Sequence, residues 1–272
     1  MSPTSYPCST PRYMGAFQRS YSITHPADKV KTFLKNLSFY FLSKNVHIRQ
    51  YTLLFLLKIG IMVALRIRSV QDMSKLYFKF GAMASSKTAN ALMTRFNYEE
   101  KGNRVWLIKP DLDNRDDYVN EQGKKITVVK SSVGLMAEAE AISQTEDLLA
   151  RFKGMRENAP VDVIICDECQ FLAPEQVDQL KHVAEYLDTP VLCFGLRSDF
   201  QTKLFPGSMR LFEIADSITE VKSVCRCGKK ATVNARLNDQ GEVIVEGEQV
   251  CIGGNDRYEA MCWGCWQDKI KK

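Results

Sequence analysis

Gly81-Ala82-Met83-Ala84-Ser85-Ser86-Lys87-Thr88 is a compact turn ending in Lys-Thr, set between an aromatic run at residues 76–80 and a segment with helical spacing. Turns of this kind hold nucleoside triphosphates. Successive backbone N–H groups and a helix N-terminus cradle the phosphate oxygens, the lysine meets the charge of the transferred group, and the threonine hydroxyl ligates magnesium. The required context is strand, turn, helix. Residues 76–80 read as a short strand and residues 89–95 as a helix, with Leu92 and Phe96 one helical turn apart. Ser86 stands where the pattern G-x-x-x-x-G-K-[ST] has its second glycine. Positive φ is the conformation expected there, and serine takes it only at a steric cost. The plainer alternative is an ordinary strand-to-helix turn with a surface lysine.

A second candidate lies at residues 161–166, a continuous apolar run ending in Asp167-Glu168. Such runs mark buried parallel strands, and carboxylates at their carboxyl ends face the ligand crevice. Two acids there can divide the work: Asp167 holds magnesium, directly or through water, and Glu168 takes the proton of an attacking hydroxyl. The competing reading is that both cap a helix beginning near Pro174.

Four of the nine cysteines fall as Cys225-x-Cys227 and Cys262-x-x-Cys265, a two-knuckle spacing that closes a tetrahedral thiolate site. A redox pair or scattered core thiols is the alternative. Cys166, Cys169 and Cys193 lie in or beside apolar strands and read as small core residues, while Cys8 and Cys251 carry no assigned role. Unpaired thiols in this number favour a reducing compartment, hence the cytoplasm. His25, His47 and His182 are the only histidines and none adjoins a motif, which argues against a histidine-based mechanism.

These residues need a frame. Residues 105–108, 126–129, 161–166 and 191–196 read as further strands, separated by helical segments at 137–152 and 175–187. The alternation predicts an α/β fold, a parallel sheet flanked by helices. Residues 221–225, 231–237 and 242–245, with a turn at 238–241, predict antiparallel strands in a small cysteine-bound subdomain. The expected organisation is an extension at 1–72, a phosphate-loop domain at 73–220 and a small subdomain at 221–272.

The whole chain is 45% hydrophobic and 25% charged, the composition of a globular protein. Its net charge of +5 is unevenly spread: residues 1–72 hold ten Lys/Arg against two acids, the remainder 27 against 30. The basic excess therefore belongs to the extension and supplies no argument for a nucleic-acid groove. The apolar stretch 53–65 contains Lys58 and is shorter than the ~20 residues a membrane span needs. It also lies too far from the start for a typical targeting signal. The preferred expectation is that 1–72 is an upstream translation or a poorly ordered appendage, with Met73 a natural initiation site.

Taken in order, these motifs resemble the thymidine kinases of the family that includes the cytosolic vertebrate and most bacterial enzymes. The resemblance runs from Lys75 to about Trp266. Beyond the phosphate loop it rests on Lys109-Pro110, Asp113-Asn114-Arg115 (Asp-Thr-Arg in the family) and Asp167-Glu168-Cys169-Gln170-Phe171. It continues through residues 195–201, 227–232 with Asn234 and Arg236, 253–258, and Cys262 with Cys265.

The resemblance implies transfer of the ATP γ-phosphate to the 5′-hydroxyl of thymidine, with Glu168 as general base. Residues 81–88 (Gly81, Ala82, Met83, Ala84, Ser85, Ser86, Lys87 and Thr88), together with Asp113, Arg115, Asp167, Glu168, Cys169 and Gln170, would serve ATP and Mg2+. Met83, Phe171, Leu196, Phe200 and Asn234 would serve the nucleoside, with Gly253, Gly254 and Tyr258 on a lasso at 250–258. The cysteine quartet would hold zinc. A homotetramer, inhibition by dTTP, and no nucleic-acid or membrane partner are further implications.

One departure besides Ser86 is Ser132, where bacterial members carry arginine, and Lys130 is the candidate substitute. Two other functions stay open here: a different phosphate-loop NTPase or small-molecule kinase, and a non-catalytic zinc-bearing nucleotide-binding module.

Overall fold

The structure is a computed structural model and describes residues 75–249 and 258–271. The expectations for the extension 1–72, and for Cys251, Gly253 and Gly254, lie outside the described residues.

Eight strands form one sheet: β1 (Leu76–Phe80), β2 (Val105–Pro110), β3 (Tyr118–Val119), β4 (Lys125–Lys130), β5 (Met136–Ile142), β6 (Val163–Cys166), β7 (Val191–Gly195) and β8 (Ser217–Glu220). Their order is β3-β4-β5-β2-β6-β7-β1-β8. From β5 to β8 all pairings are parallel, whereas β3 and β4 extend the sheet in antiparallel fashion.

The central strands β6 and β7 are buried at every position, as apolar runs with helices on both faces must be. Period two sorts their side chains between two cores. Ile164 and Cys166 join Phe78, Ile108 and residues of α2 (Leu148–Asn158), α3 (Pro174–Tyr186) and α4 (Pro206–Ile214). Val163 and Ile165 pack with Leu107, Phe194 and the Ala91 and Leu92 face of α1 (Lys87–Glu99). Each fully buried branched or aromatic side chain contributes about 1.5–3 kcal/mol. Phe96, at helical spacing from Leu92, is exposed instead.

The predicted helix at 137–152 is corrected. Residues 136–142 form β5, and α2 begins only at Leu148, with Asp147 capping it by accepting Ala150 N–H at 2.9 Å. Met136-Ala137-Glu138-Ala139-Glu140-Ala141-Ile142 is built from good helix formers, but it also alternates. Pairing on both sides, with β4 and β2, overrides the local propensity. The sheet is accordingly mixed, with a parallel body.

The C-terminal part holds a hairpin of β9 (Ser223–Val224) and β10 (Lys230–Ala231). Beside it β11 (Val233–Leu237), β12 (Val243–Ile244) and β13 (Tyr258–Met261) form a three-stranded antiparallel sheet, and α5 (Trp263–Ile270) follows. The expected strand at 231–237 is broken at Thr232, while β8, β13 and α5 lie outside the predicted elements. No helix among the described residues is long and apolar enough to cross a membrane.

Candidate active site

The phosphate loop leaves the carboxyl end of β1, where Gly81 N–H donates to Gly195 O at 3.2 Å. A Cβ on Gly81 would lie 2.3 Å from Val221 O and 2.4 Å from Ser85 Oγ, so packing alone demands glycine there. Ser86 sits at φ 61° and Ala84 at φ 54°, both left-handed. The strain expected at Ser86 is present, and Ala84 adds a second instance, at about 1–2 kcal/mol each. Lys87 is buried and folds back on its own loop, donating to Ala82 O at 2.8 Å and Ser85 Oγ at 3.3 Å. Burial lowers its pKa, opposed by the charges of Glu168 and Asp167.

The resemblance implies that ATP binds this left-handed form of the loop. Ser86→Gly is therefore expected to lower the KM for ATP about two- to fivefold, strain relief exceeding the added chain entropy. The KM for thymidine should not move. Initial-rate kinetics with varied ATP check this, and an unchanged KM for ATP contradicts it.

Asp167 is buried at the end of β6, and its carboxylate accepts a hydrogen bond from the Thr88 side chain. Burial first, and the neighbouring Glu168 charge second, push its pKa up to about 7. Glu168 takes φ 51°, left-handed backbone that turns the chain into a single 3-10 turn, Cys169–Phe171. Its Oε1 accepts from Arg115 Nη2 at 3.1 Å and its Oε2 from Gln170 Nε2 at 2.6 Å. Gln170 is itself buried and fixed, its Oε1 accepting Leu196 N–H at 2.9 Å. The N-cap of α3 is Ala173, so neither acid caps that helix.

Arg115 Nε donates to Asp113 Oδ1 at 2.6 Å, which holds the guanidinium charged between Asp113 and Glu168. Asp113 in turn lies 3.6 Å from the ammonium of Lys109.

A raised acid destabilises when ionised. The folded-state value of Asp167, about 7, exceeds the unfolded value of about 3.9, so the native state binds the extra proton and stability falls as pH rises between the two. Asp167→Asn keeps an acceptor for Thr88 and removes the charge. In protein free of nucleotide and metal it is expected to raise Tm by about 3–6 °C at pH 8, with little change near pH 4. Calorimetric melts at both pH values test this, and a Tm at pH 8 no higher than the parent's contradicts it.

One cavity of about 390 Å³ joins these groups. Ser85, Lys87, Thr88, Asp113, Arg115 and Lys130 line it together with Glu168 and Gln170, and so do Phe171, Leu196, Phe200 and Phe205. Phe171 and Phe205 meet edge to face at 5.7 Å. Asn234, on β11, bridges two walls: its Oδ1 accepts Met83 N–H at 2.8 Å and its Nδ2 donates to Ser198 O at 2.8 Å. Tyr258 opens β13 and also faces the cavity. A volume of this size with convergent polar groups suits a small-molecule ligand.

Of the predicted residues, Gly81, Ala82, Asp167 and Cys169 lie behind the lining. A Cβ on Gly195 would come within 2.6 Å of the Cys169 sulfur. Lys130, the proposed substitute for the missing arginine, does line the cavity, 3.7 Å from Asp116. Asp116, Ser198, Asp199, Phe205 and Gln249 are lining residues that sequence reasoning missed. They sit on connecting loops, where no periodicity marks them.

The Sγ atoms of Cys225, Cys227, Cys262 and Cys265 lie within 4.8 Å of one another. Cys227 and Cys262 are 3.6 Å apart, too far for a disulfide and close to the ~3.8 Å edge of a tetrahedron with ~2.3 Å metal–sulfur bonds. Backbone N–H groups of Cys227 and Cys262 hold the Cys225 thiol down to about 6, so thiolate is accessible near neutrality. The four could hold a metal ion.

A phosphate loop facing fixed carboxylates across a cavity at the carboxyl ends of parallel strands defines a nucleoside-triphosphate-dependent phosphotransferase. The thymidine kinase family profile matches residues 74–266. A thymidine kinase of Novosphingobium aromaticivorans is 43% identical over 190 residues, 70% of this chain and 95% of the relative. One from Rhizobium meliloti is 40% identical over 202 residues, covering 74% and 100%. One from Yersinia pseudotuberculosis is 39% identical over 199 residues, covering 73% and 97%. The chain belongs to the thymidine kinase family.

Proposed function

We propose that the protein transfers the γ-phosphate of ATP to the 5′-hydroxyl of thymidine. Glu168 receives the hydroxyl proton as the 5′-oxygen bonds to phosphorus and the bond to the β-phosphate bridging oxygen breaks, releasing ADP and dTMP. The observation that carries this reading is that Lys87 and Glu168 share one cavity with an aromatic wall.

Phe171, Leu196, Phe200 and Phe205 offer the apolar surface a pyrimidine needs, and the loop 81–88 with Arg115 and Lys130 offers charge for phosphates. Thr88, with Asp113 or Asp167, would hold Mg2+. The fit lies in Asp167, a buried carboxylate raised by burial and by its acidic neighbour, which a divalent cation complements. Magnesium supplies charge neutralisation on the transferring phosphate.

The cysteine quartet would hold structural Zn2+, on ligand chemistry and spacing. Residues 73–220 then act as the phosphate-loop domain and 221–272 as a zinc-bound nucleoside subdomain. A homotetramer is what the family resemblance implies, and the free thiols among the described residues support a reducing, cytoplasmic setting.

The test is transfer of labelled γ-phosphate from ATP to thymidine by the full chain, with dTMP as the expected product. Turnover of another acceptor, with neither thymidine nor deoxyuridine phosphorylated, would overturn it.

A further inference from the structure

Among the described residues Lys109 is the most deeply buried charged side chain. It is the penultimate residue of β2, is 1% exposed, and falls on the sheet face that packs against α1. Three oxygens surround its ammonium: Val128 O at 2.7 Å, Asp117 Oδ1 at 3.4 Å and Asp113 Oδ2 at 3.6 Å. Removing its charge alone would leave Asp113, Asp117 and Val128 O short of a donor, whereas apolar residues in place of a whole buried cluster of this kind are often no less stable. Burial of the cluster as a whole is thus weak evidence for a purely stabilising role.

Its two acidic neighbours are unlike. Asp117 has other partners: Lys125 Nζ at 3.1 Å, Val128 N–H at 3.2 Å and Thr127 Oγ1 at 3.4 Å. Burial favours its neutral form, but Lys125, the Val128 N–H and Lys109 together hold its pKa down. Asp113 depends on two cations, one to each oxygen: Lys109 from behind, and Arg115 at 2.6 Å from the cavity side. Arg115 then spans to Glu168 at 3.1 Å.

Remove the Lys109 charge and the full field of Asp113 falls on Arg115. Its attraction toward Glu168 and toward a phosphate in the cavity weakens accordingly, and one edge of the Asp113 carboxylate is released to rotate. Lys109 and Asp113 are nearly dry, their side chains 2% and 8% exposed, so a charge left uncompensated there is felt strongly.

We propose that Lys109 is a positioning residue that holds Asp113, and through it fixes the Arg115 guanidinium with its charge free for Glu168 and the transferring phosphate. The inference rests on the phosphotransfer reading given above for this site.

Because Lys109 would act only through Arg115, the test is a double-mutant cycle in the full chain with ATP and thymidine. Lys109→Met is expected to lower kcat about thirtyfold with the KM for thymidine within about twofold. In an Arg115→Ala background the same change is expected to cost less than about threefold. Lys109→Arg should recover part of the loss.

Should Lys109→Met fail to fold by circular dichroism, Lys109→Gln replaces it, its amide keeping a donor for Val128 O without the charge. Losses that multiply in the double variant, a KM for thymidine that rises in step, or parental kcat in Lys109→Gln would each overturn the proposal. Glu168→Gln run alongside separates the two readings. Retained turnover there removes the general base, while the Lys109–Arg115 coupling is measured with Glu168 in place.

Discussion

Glu168→Gln is expected to lower kcat for thymidine phosphorylation about a thousandfold, with the KM values for ATP and thymidine changed less than about threefold. General-base catalysis by a positioned side chain is worth about 10²–10⁴-fold, and a thousandfold loss corresponds to about 4 kcal/mol of barrier. Glu168 and not Asp167 is the candidate because of where each carboxylate points. Asp167 is buried behind the cavity wall and engaged by Thr88, whereas the Glu168 side chain is 19% exposed and lines the cavity.

The substitution is close to isosteric but not silent. Arg115 and Gln170 both donate to the carboxylate, and an amide offers one acceptor to two donors. Glu168→Asp serves as the companion, since it keeps the charge and shortens the reach. It is expected to fall between parent and Glu168→Gln. Single-turnover measurement of phosphate transfer reads the chemical step directly, and parental kcat in Glu168→Gln would remove the base from the mechanism.

What the sequence made legible follows the range of each interaction. The phosphate loop, the Asp167-Glu168 pair and the cysteine quartet were readable because their chemistry is set by residues adjacent in the chain, or by two short spacings. Positive φ at Ser86 was likewise local, a matter of which position in the loop turns left-handed.

The misread element, β5, is an Ala/Glu run whose propensity points to helix and whose state is decided by pairing with β4 and β2. The supporting shell was not visible at all. Arg115 reaches Glu168 across 53 residues, Asn234 reaches Met83 across 151, and Lys109 reaches Val128 across 19. Such contacts exist only once the sheet order is known. Gln170 shows the gap well: its place at the cavity was an expectation, while the ties of its amide to Glu168 and to the end of β7 were not foreseen.

Loss of a metal ion from the cysteine quartet is expected to cut activity at least about a hundredfold, although the quartet itself does not line the cavity. The apolar cluster around it is small: Cys225, Ala231, Val233, Ala235, Met261, Cys262 and Trp266 are its buried members. Two of these seven are themselves would-be ligands, and a core of that size cannot hold short strands and an eight-residue helix alone.

The strands that depend on it carry Asn234 and Tyr258 to the cavity, with Arg236 opposite Tyr258 in the β11–β13 register. Asn234 also accepts the Met83 N–H, so disorder here reaches the phosphate loop. Structural zinc supplies about 10–16 kcal/mol in small zinc-dependent folds, and a fraction of that exceeds what this cluster can provide.

Cys262→Ser, which removes a candidate ligand and the acceptor of Cys265 N–H, is therefore expected to lose bound zinc and to cut kcat/KM for thymidine at least about a hundredfold. Elemental analysis of the purified chain should return one zinc per protomer in the parent and much less in the variant. Full activity and an unchanged Tm in metal-free Cys262→Ser would show that the quartet is not a metal centre, and that hydrogen bonding and β-pairing alone hold the nucleoside side of the site.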